Sequence, residues 1–381
     1  MQTTFSPAAP STVSAAPPGQ ARWPLTAAIV LAVLALAWFV TLRQSALFVI
    51  GIGMGGLLAG ARFGFTTGWR RLIEVRDASG VFAQIVLLAV AAGISIPLLA
   101  SFPGDLAAAL GPPSVSLLVG AFVFGLTMQI ADGCGSGTLY KAGLGIPLNM
   151  GVLPLFALGS FLGSVHLHGW LSLGAMEPVS LVRDWGAVGA LSITFAGLAV
   201  LGLAAWVWSR KSAAAAPALW NRKLLLAGIG LALLAVANLV VAGQPWGVVY
   251  GFGLWAAKVA TAAGLFDPAA NAFWSQAGNL RTLDQSVFLD VTSITNIGIM
   301  AGALWIAARK PSSGKPLTGR QWAAVLIAGF LLGYSSRLAF GCNVGAMVSG
   351  ISTGSLHGWI WVVLAFAGSL IGVRLRRRLG V

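Results

Sequence analysis

Charged side chains are scarce in this sequence: they make up 8% of its 381 residues, against roughly a quarter in soluble domains. Acidic residues are the rarest of them, at nine in the whole chain. This composition excludes a water-soluble globule. Apolar residues account for 57%, and runs such as 25–42 and 223–241 are long enough to cross a bilayer core without an interior charge. We therefore expect an all-α polytopic membrane protein surrounded by lipid.

Cysteine and histidine are almost absent, with two and three residues respectively. Two cysteines cannot form a disulfide framework, and so few ligands argue against a metal site, so we predict no metal and no cofactor. No motif indicates direct ATP coupling, and nothing places Ser, His and Asp together as a hydrolytic triad, so we do not expect an enzyme. The net charge of +14 does not indicate nucleic acid, because the basic residues flank apolar segments, as orienting charges do.

Apolar runs divide the chain into predicted membrane segments at 25–42, 45–61, 80–100, 115–131, 148–165, 188–208, 223–241, 246–262, 286–308, 321–340 and 356–373. Shorter, broken runs at 64–73, 133–145, 267–277 and 341–354 are interpreted as re-entrant pieces. The expected organisation is a disordered tail (1–23), a first transmembrane repeat (24–208), a cytoplasmic linker (209–222) and a second, inverted repeat (223–381). No A-x-A cleavage site follows the first run, so we interpret it as a retained span.

Basic residues cluster at three places: in the loop after residue 209, in the loop after residue 308, and at the C-terminus. If these regions are cytoplasmic, the order of the segments also places Arg43, Arg62, Arg70, Arg71 and Arg76 inside, so 17 of the 23 basic residues lie inside and six lie elsewhere. This distribution predicts a multi-pass protein of the bacterial cytoplasmic (inner) membrane with a periplasmic N-terminus and a cytoplasmic C-terminus.

An internal repeat is visible when Phe124–Gly137 is laid over Leu332–Gly345 at an offset of 208. The matching positions are Gly125, Ala131, Gly133, Cys134 and Gly137, which correspond to Gly333, Ala339, Gly341, Cys342 and Gly345. With the orientation above, one segment enters from outside and the other from the cytoplasm, so the repeats are predicted to be inverted. Two matching breaks near the midplane are the usual position of a transporter's substrate site.

Each of these breaks combines a cysteine with glycines and the start of a short helix, whose free N–H groups suit an anion. The candidate substrate-binding residues here are Gly133, Cys134, Gly135, Ser136 and Gly137 in one turn, and Gly341, Cys342, Asn343, Val344 and Gly345 in the other. The alternative is that small residues only permit close helix crossing and that the cysteines are inert apolar filler.

Three charged residues near the turns are further candidates. Arg337 and Asp132 both lie within apolar segments, where a charge is costly and usually faces a partner or a watery cavity. We hypothesise that these two pair, the alternative being that Arg337 extends to the interface. Lys141 follows the first turn and is placed either to draw an anion inward or to anchor the helix at the interface.

The stretches 62–70 (RFGFTTGWR), 124–143 and 333–358 resemble the YeeE/YedE family of bacterial inner-membrane sulfur transporters, and with the segment order the resemblance covers most of 45–373. It implies an hourglass-shaped protein with re-entrant helices that imports thiosulfate or a related small sulfur-containing anion. It also implies that Cys134 and Cys342 are relay thiols that hydrogen-bond the substrate in turn, without a covalent intermediate. A small soluble sulfur-carrier protein is an implied partner at the cytoplasmic loops.

The sequence departs from this family where a third cysteine is common, since that position is Gly64. The hydroxyl of Thr66 or Thr67 is a possible substitute. Two alternatives stay open: a permease for a selenium compound or sulfide, and a membrane sulfur-acceptor or scaffold protein that is persulfidated on a cysteine.

Overall fold

The computed structural model describes residues 22–210, 219–308 and 317–381. Nearly all of the predicted tail and most of the predicted linker therefore lie outside the described residues. The described ranges form fifteen α-helices: α1 (Arg22–Phe39), α2 (Leu42–Ala61), α3 (Phe65–Val75), α4 (Ser79–Ser101), α5 (Val115–Ile130), α6 (Gly135–Gly143), α7 (Pro147–Leu171), α8 (Leu181–Ser209), α9 (Arg222–Ala242), α10 (Val249–Ala262), α11 (Ala277–Asp284), α12 (Val291–Ala307), α13 (Gly319–Leu338), α14 (Gly350–Ser352) and α15 (Leu356–Leu379). Short 3₁₀ turns lie at Pro268–Ala270 and Val287–Leu289, and a π-helical segment, Asn343–Ser349, precedes α14.

Every apolar segment predicted from the sequence coincides with a helix, and side-chain caps begin several of them. Ser114 accepts a hydrogen bond from the N–H of Leu117 at the start of α5, and Thr318 forms a reciprocal capping box with Gln321 at the start of α13. The largest boundary difference is in α8, which begins seven residues before the predicted segment and has a break at Gly186 (φ 65°). The all-helical class is confirmed.

Eight helical stretches in the described residues are long and apolar enough to cross a membrane. Two shorter apolar helices, Trp23–Phe39 and Val291–Ala307, accompany them. The described part of the chain has no β-strand, and only isolated bridges join Ser114 to Ala175 and Ser180 to Ser355. This is the architecture of a multi-pass membrane protein.

The most extensive helix contacts are the pairs α2–α12, α5–α15 and α7–α13, each of which joins the first half of the chain to the second. Glycines allow these helices to meet backbone to backbone. A side chain added at Gly55 would collide with the carbonyl of Ile299, and one at Gly302 would collide with that of Ile52. Such contacts favour close packing where lipid supplies no hydrophobic driving force between helices.

The internal repeat of the sequence reappears in this packing. Gly125 of α5 lies against the carbonyl of Ala365 in α15, and its counterpart Gly333 of α13 lies against the carbonyl of Phe156 in α7. The same correspondence holds for two further pairs of contacts. Gly159 lies against Phe330 as Gly368 lies against Phe122, and Gly163 lies against Tyr334 as Gly372 lies against Leu126. The pair α5–α15 is thus the structural equivalent of the pair α7–α13.

Candidate functional site

The two Gly-Cys turns adopt the same backbone conformation. Asp132 after α5 and Phe340 after α13 both have a φ of 56°, the left-handed region. Cys134 (φ −86°, ψ −166°) and Cys342 (φ −96°, ψ −166°) are extended, and each begins the short helix that follows. In both, the cysteine carbonyl accepts a 2.8 Å hydrogen bond from the N–H four residues later. Gly341 has a φ of 151°, which an L side chain rarely adopts.

These turns also touch one another. A Cβ added to Gly135 would lie 2.9 Å from Cys342 Sγ, so the absence of a side chain at that position leaves space for the thiol. A Cβ on Gly137 would lie 3.5 Å from Cys134 Sγ, and Ser136 Oγ is 3.5 Å from the same sulfur. Both cysteines are buried, with 1% and 0% of their surface exposed. The structure therefore places Cys342 of one turn against Gly135 of the other, with Ser136 and Gly137 beside Cys134.

Polar atoms beside the cysteines have no partner among the described residues. Both side-chain polar atoms of Asn343 are buried and unpaired, and so is the hydroxyl of Thr138. Buried polar groups in proteins are nearly always hydrogen-bonded, so unpaired ones at a central break need an explanation. Asn343 occupies the position equivalent to Gly135, so one turn carries an amide side chain where the other has none. Such a site can donate hydrogen bonds to a small polar ligand and accept hydrogen bonds from it.

Asp132 does not pair with Arg337, and our hypothesis of that pair is wrong. Its carboxylate forms ion pairs with Arg70 Nη2 at 2.7 Å and with Lys141 Nζ at 2.6 Å, and Arg376 Nη1 lies 3.5 Å away. These four side chains, which we call the Asp132 cluster, expose between 13% and 24% of their surface. The cluster holds three cations and one carboxylate, so it keeps an excess of two positive charges beside the first cysteine turn.

Arg337 lies in a different environment, on the last turn of α13. Its guanidinium carbon is 4.8 Å from the ring centroid of Phe273 and 5.8 Å from that of Tyr250. Its Nε is buried without an acceptor. Both distances fall within the range of cation–π contacts, so aromatic faces stand where we expected a carboxylate.

Gly64, where the expected third thiol would lie, begins α3 with an extended backbone (φ −122°). A Cβ there would approach Thr67 Oγ1 to 2.9 Å, which a rotation of the threonine relieves. The hydroxyl of Thr66 is buried and forms no hydrogen bond with any described residue. Neither Gly64 nor Thr66 forms a hydrogen bond with Cys134 or Cys342.

Two site residues were missed by reasoning from sequence, namely Arg70 and Arg376. Arg70 also donates to the side-chain oxygen of Gln129 at 3.2 Å, and Arg376 donates to the main-chain oxygen of Gln129 at 2.9 Å. Both had been counted only as orienting charges. A signal was present for Arg70, because it closes the 62–70 motif that carries the family resemblance. In the described ranges, no group of three or more His, Cys, Asp or Glu side chains could hold a metal ion.

Comparison with known proteins gives consistent matches. The thiosulfate transporter TsuA of Escherichia coli is 23% identical over 339 residues, which cover 84% of this chain and 91% of that protein. The thiosulfate transporter TsuA of Spirochaeta thermophila is 27% identical over 278 residues, 67% of this chain and 76% of that one. The probable transporter YedE of Escherichia coli is 35% identical over only 77 residues, about a fifth of either chain.

A sequence model of the sulphur transport family matches residues 60–371. This range contains both cysteine turns, the whole 62–70 motif and most of the described helices. Since the match extends over more than half of the sequence, the chain belongs to the sulphur transport (YeeE/YedE) family.

Proposed function

We propose that this protein is a permease, not an enzyme, that imports thiosulfate or a closely related small sulfur-containing anion. The observation that carries the proposal is the contact between the two equivalent Gly-Cys turns, with Cys342 Sγ against Gly135. Membership of the sulphur transport family and the names of the two TsuA relatives support the substrate class. We infer that the protein lies in the bacterial cytoplasmic membrane.

In this proposal the two cysteine turns form the waist of an hourglass. Helices α6 and Asn343–Ser349 are the re-entrant elements, and the halves 24–208 and 223–381 are inverted repeats. The equivalent packing of α5–α15 and α7–α13 supports this symmetry. A periplasmic N-terminus and a cytoplasmic C-terminus follow from the distribution of basic residues.

The thiols of Cys134 and Cys342 act as neutral, weak hydrogen-bond donors to a soft anion. Weak binding at successive sites lets the ion leave as well as enter. The thiols form no covalent bond to the ion. The unpaired amide of Asn343 and hydroxyl of Thr138 supply further hydrogen bonds at the waist. Together these groups replace part of the hydration shell of the ion without fixing it in place.

The positive charge of the Asp132 cluster attracts the anion as it leaves the waist. The Asp132 cluster begins two residues before Cys134, and its excess of two positive charges attracts an anion. The carboxylate of Asp132 limits that attraction because it neutralises part of the charge. With a cytoplasmic C-terminus, Arg376 on α15 places this cluster on the inner side, where a small soluble sulfur-carrier protein would receive the substrate.

The test is uptake of radiolabelled thiosulfate by a sulfur-auxotrophic bacterium that lacks its own thiosulfate uptake, together with growth on thiosulfate as sole sulfur source. Wild type is expected to rescue growth, and Cys134→Ala and Cys342→Ala at matched membrane levels are expected to fail. Asn343→Leu, which removes an amide without a partner, is expected to fold at least as well as wild type and to transport less. The matched control is Asn296→Leu, whose amide donates to Val248 O at 2.9 Å and which is expected to lose stability instead.

Failure of wild type to rescue growth, although it reaches the membrane, would reject thiosulfate. Uptake of a selenium compound or of sulfide would then be measured in the same cells. The remaining alternative, a membrane sulfur-acceptor protein, is distinguished from a permease by mass spectrometry of the two cysteines after exposure to a sulfur donor. A persulfide adduct would identify a sulfur acceptor. Unmodified thiols together with uptake support the permease.

A further inference from the structure

Arg337 differs from the other cations near the cysteine turns because its guanidinium has no acceptor. Arg70, Lys141 and Arg376 all face the carboxylate of Asp132. For Arg337, in contrast, no carboxylate or carbonyl of the described residues lies within bonding distance, and its Nε is buried and unpaired. A cation held inside a membrane protein without a partner is costly, and such residues commonly face a substrate or ion pathway.

The aromatic rings hold the guanidinium while leaving its donors free. Phe273 and Tyr250 contact it through their ring faces, at 4.8 and 5.8 Å. A cation–π contact uses the flat face of the guanidinium, so the N–H groups at its edge stay available. The tyrosine hydroxyl is engaged elsewhere, with Asn279 at 2.9 Å and Thr282 at 2.6 Å, so it does not compete for those N–H groups.

The backbone of Arg337 is tied to the second cysteine turn. Its carbonyl accepts the N–H of Phe340 at 3.2 Å, in the turn that leads to Cys342 five residues later. The stem of the side chain also packs closely against Gly163, where an added Cβ would lie 2.9 Å from Arg337 Cβ. The position equivalent to Arg337 in the first repeat is Gln129, so this cation belongs to the second turn alone.

We propose that Arg337 is the first binding site of the transported anion, on the side of the waist opposite to the Asp132 cluster, and that it selects sulfur oxyanions. This inference rests on the proposed function. The free edge of a guanidinium matches two oxygens of one anion, as in bidentate carboxylate or phosphate recognition. The sulfonate end of thiosulfate offers such oxygens, and sulfide does not. An anion bound there lies one helical turn before Cys342 and passes next to the thiols.

The experiment measures thiosulfate uptake kinetics and equilibrium binding to the purified protein for wild type, Arg337→Gln and Arg337→Lys. Arg337→Gln is expected to raise KM and Kd by about 10- to 100-fold, with maximal uptake within about two-fold of wild type. Arg337→Lys keeps the charge but not the two-oxygen geometry. Its affinity for thiosulfate is therefore expected to lie between those of wild type and Arg337→Gln. Sulfide is expected to compete poorly for this site in wild type.

Lys258→Gln is the matched control, because Lys258 is a part-buried cation on the same helix as Tyr250 whose ammonium group already donates to the carbonyls of Leu283 and Gln285. Its KM is expected to stay unchanged. If Arg337→Gln fails to fold, phenylglyoxal labelling of wild type replaces it, with mass spectrometry reading whether thiosulfate protects Arg337 from modification.

The outcomes separate this inference from the proposed function. If wild type neither binds nor carries thiosulfate, both fall. If wild type carries thiosulfate but the affinity of Arg337→Gln equals that of wild type, or thiosulfate gives Arg337 no protection, only the role of Arg337 is rejected. A loss of maximal uptake with unchanged affinity would also reject it.

Discussion

Replacing Asp132 by Asn tests the Asp132 cluster most directly. The substitution keeps the shape of the side chain but removes its charge, which leaves Arg70, Lys141 and Arg376 facing one another without a counter-ion. Removing one partner of a buried pair costs about 3–5 kcal/mol, and an exposed pair contributes about 0–1 kcal/mol. Because the cluster is mostly but not fully buried, we expect a loss of about 2–4 kcal/mol in the free energy of unfolding.

The assay is equilibrium unfolding of the detergent-purified protein, followed by tryptophan fluorescence. Glu74→Gln is the control, since the pair of Glu74 with Arg377 at 2.9 Å has one partner 60% exposed and is expected to contribute less than about 1 kcal/mol. A double-mutant cycle of Asp132→Asn with Lys141→Gln should give a coupling above about 1 kcal/mol.

The same cycle of Asp132→Asn with Arg337→Gln should give additive losses within about 0.5 kcal/mol. A coupling with Arg337 larger than that with Lys141 would refute the assignment of the ion pairs. So would equal losses for Asp132→Asn and Glu74→Gln.

The remaining predictions concern two glycines. Gly64→Cys is expected to fold, because the added Cβ comes within 3.4 Å of the Thr67 side chain alone, and to raise thiosulfate uptake by adding a thiol. Gly64→Ala, which adds the same Cβ without sulfur, is its control, and equal uptake by the two would contradict the idea. Gly159→Val is expected to abolish accumulation of folded protein, measured by size-exclusion chromatography, because it separates α7 from α13. Gly56→Val, at a position with no atom within 4 Å of the added Cβ, should accumulate as wild type does, and equal losses would contradict the packing argument.

The long helices were predictable because each is an apolar run closed by polar or glycine-rich breaks. Predicted segment 223–241, for example, is α9 (Arg222–Ala242), ended by Gly243 in the left-handed conformation. The equivalence of the two cysteine turns was also predictable, since it follows from a repeat at fixed offset. The resemblance to the sulphur transport family, drawn from the same turns and the 62–70 motif, is confirmed.

The side-chain pairing was not predictable in the same way. We hypothesised the pair of Asp132 and Arg337 because both are charges within apolar segments near the turns. The positions equivalent to them in the repeat are Phe340 and Gln129, so the repeat gives no reason for the two to meet. Two of the three actual partners, Arg70 in α3 and Arg376 in α15, are distant in sequence, and only Lys141 in α6 is close to Asp132. A hydrophobic pattern fixes which residues form helices, but it does not fix which helices become neighbours. Whether the halves are inverted and the short helices re-entrant stays a prediction.

The crossing of α2, α5 and α7 with α12, α15 and α13 has a consequence for biogenesis. Each of these helices reaches its backbone contact only when a helix from the other half of the chain is present. During synthesis the glycines of α2, α5 and α7 therefore face lipid until the helices of the second half have been inserted. The contact of α5 with α15 forms only after α15 has been inserted. A truncation that removes α15 thus leaves α5 without its partner, and the chain behaves as a single assembly unit from its first helix pair to its last.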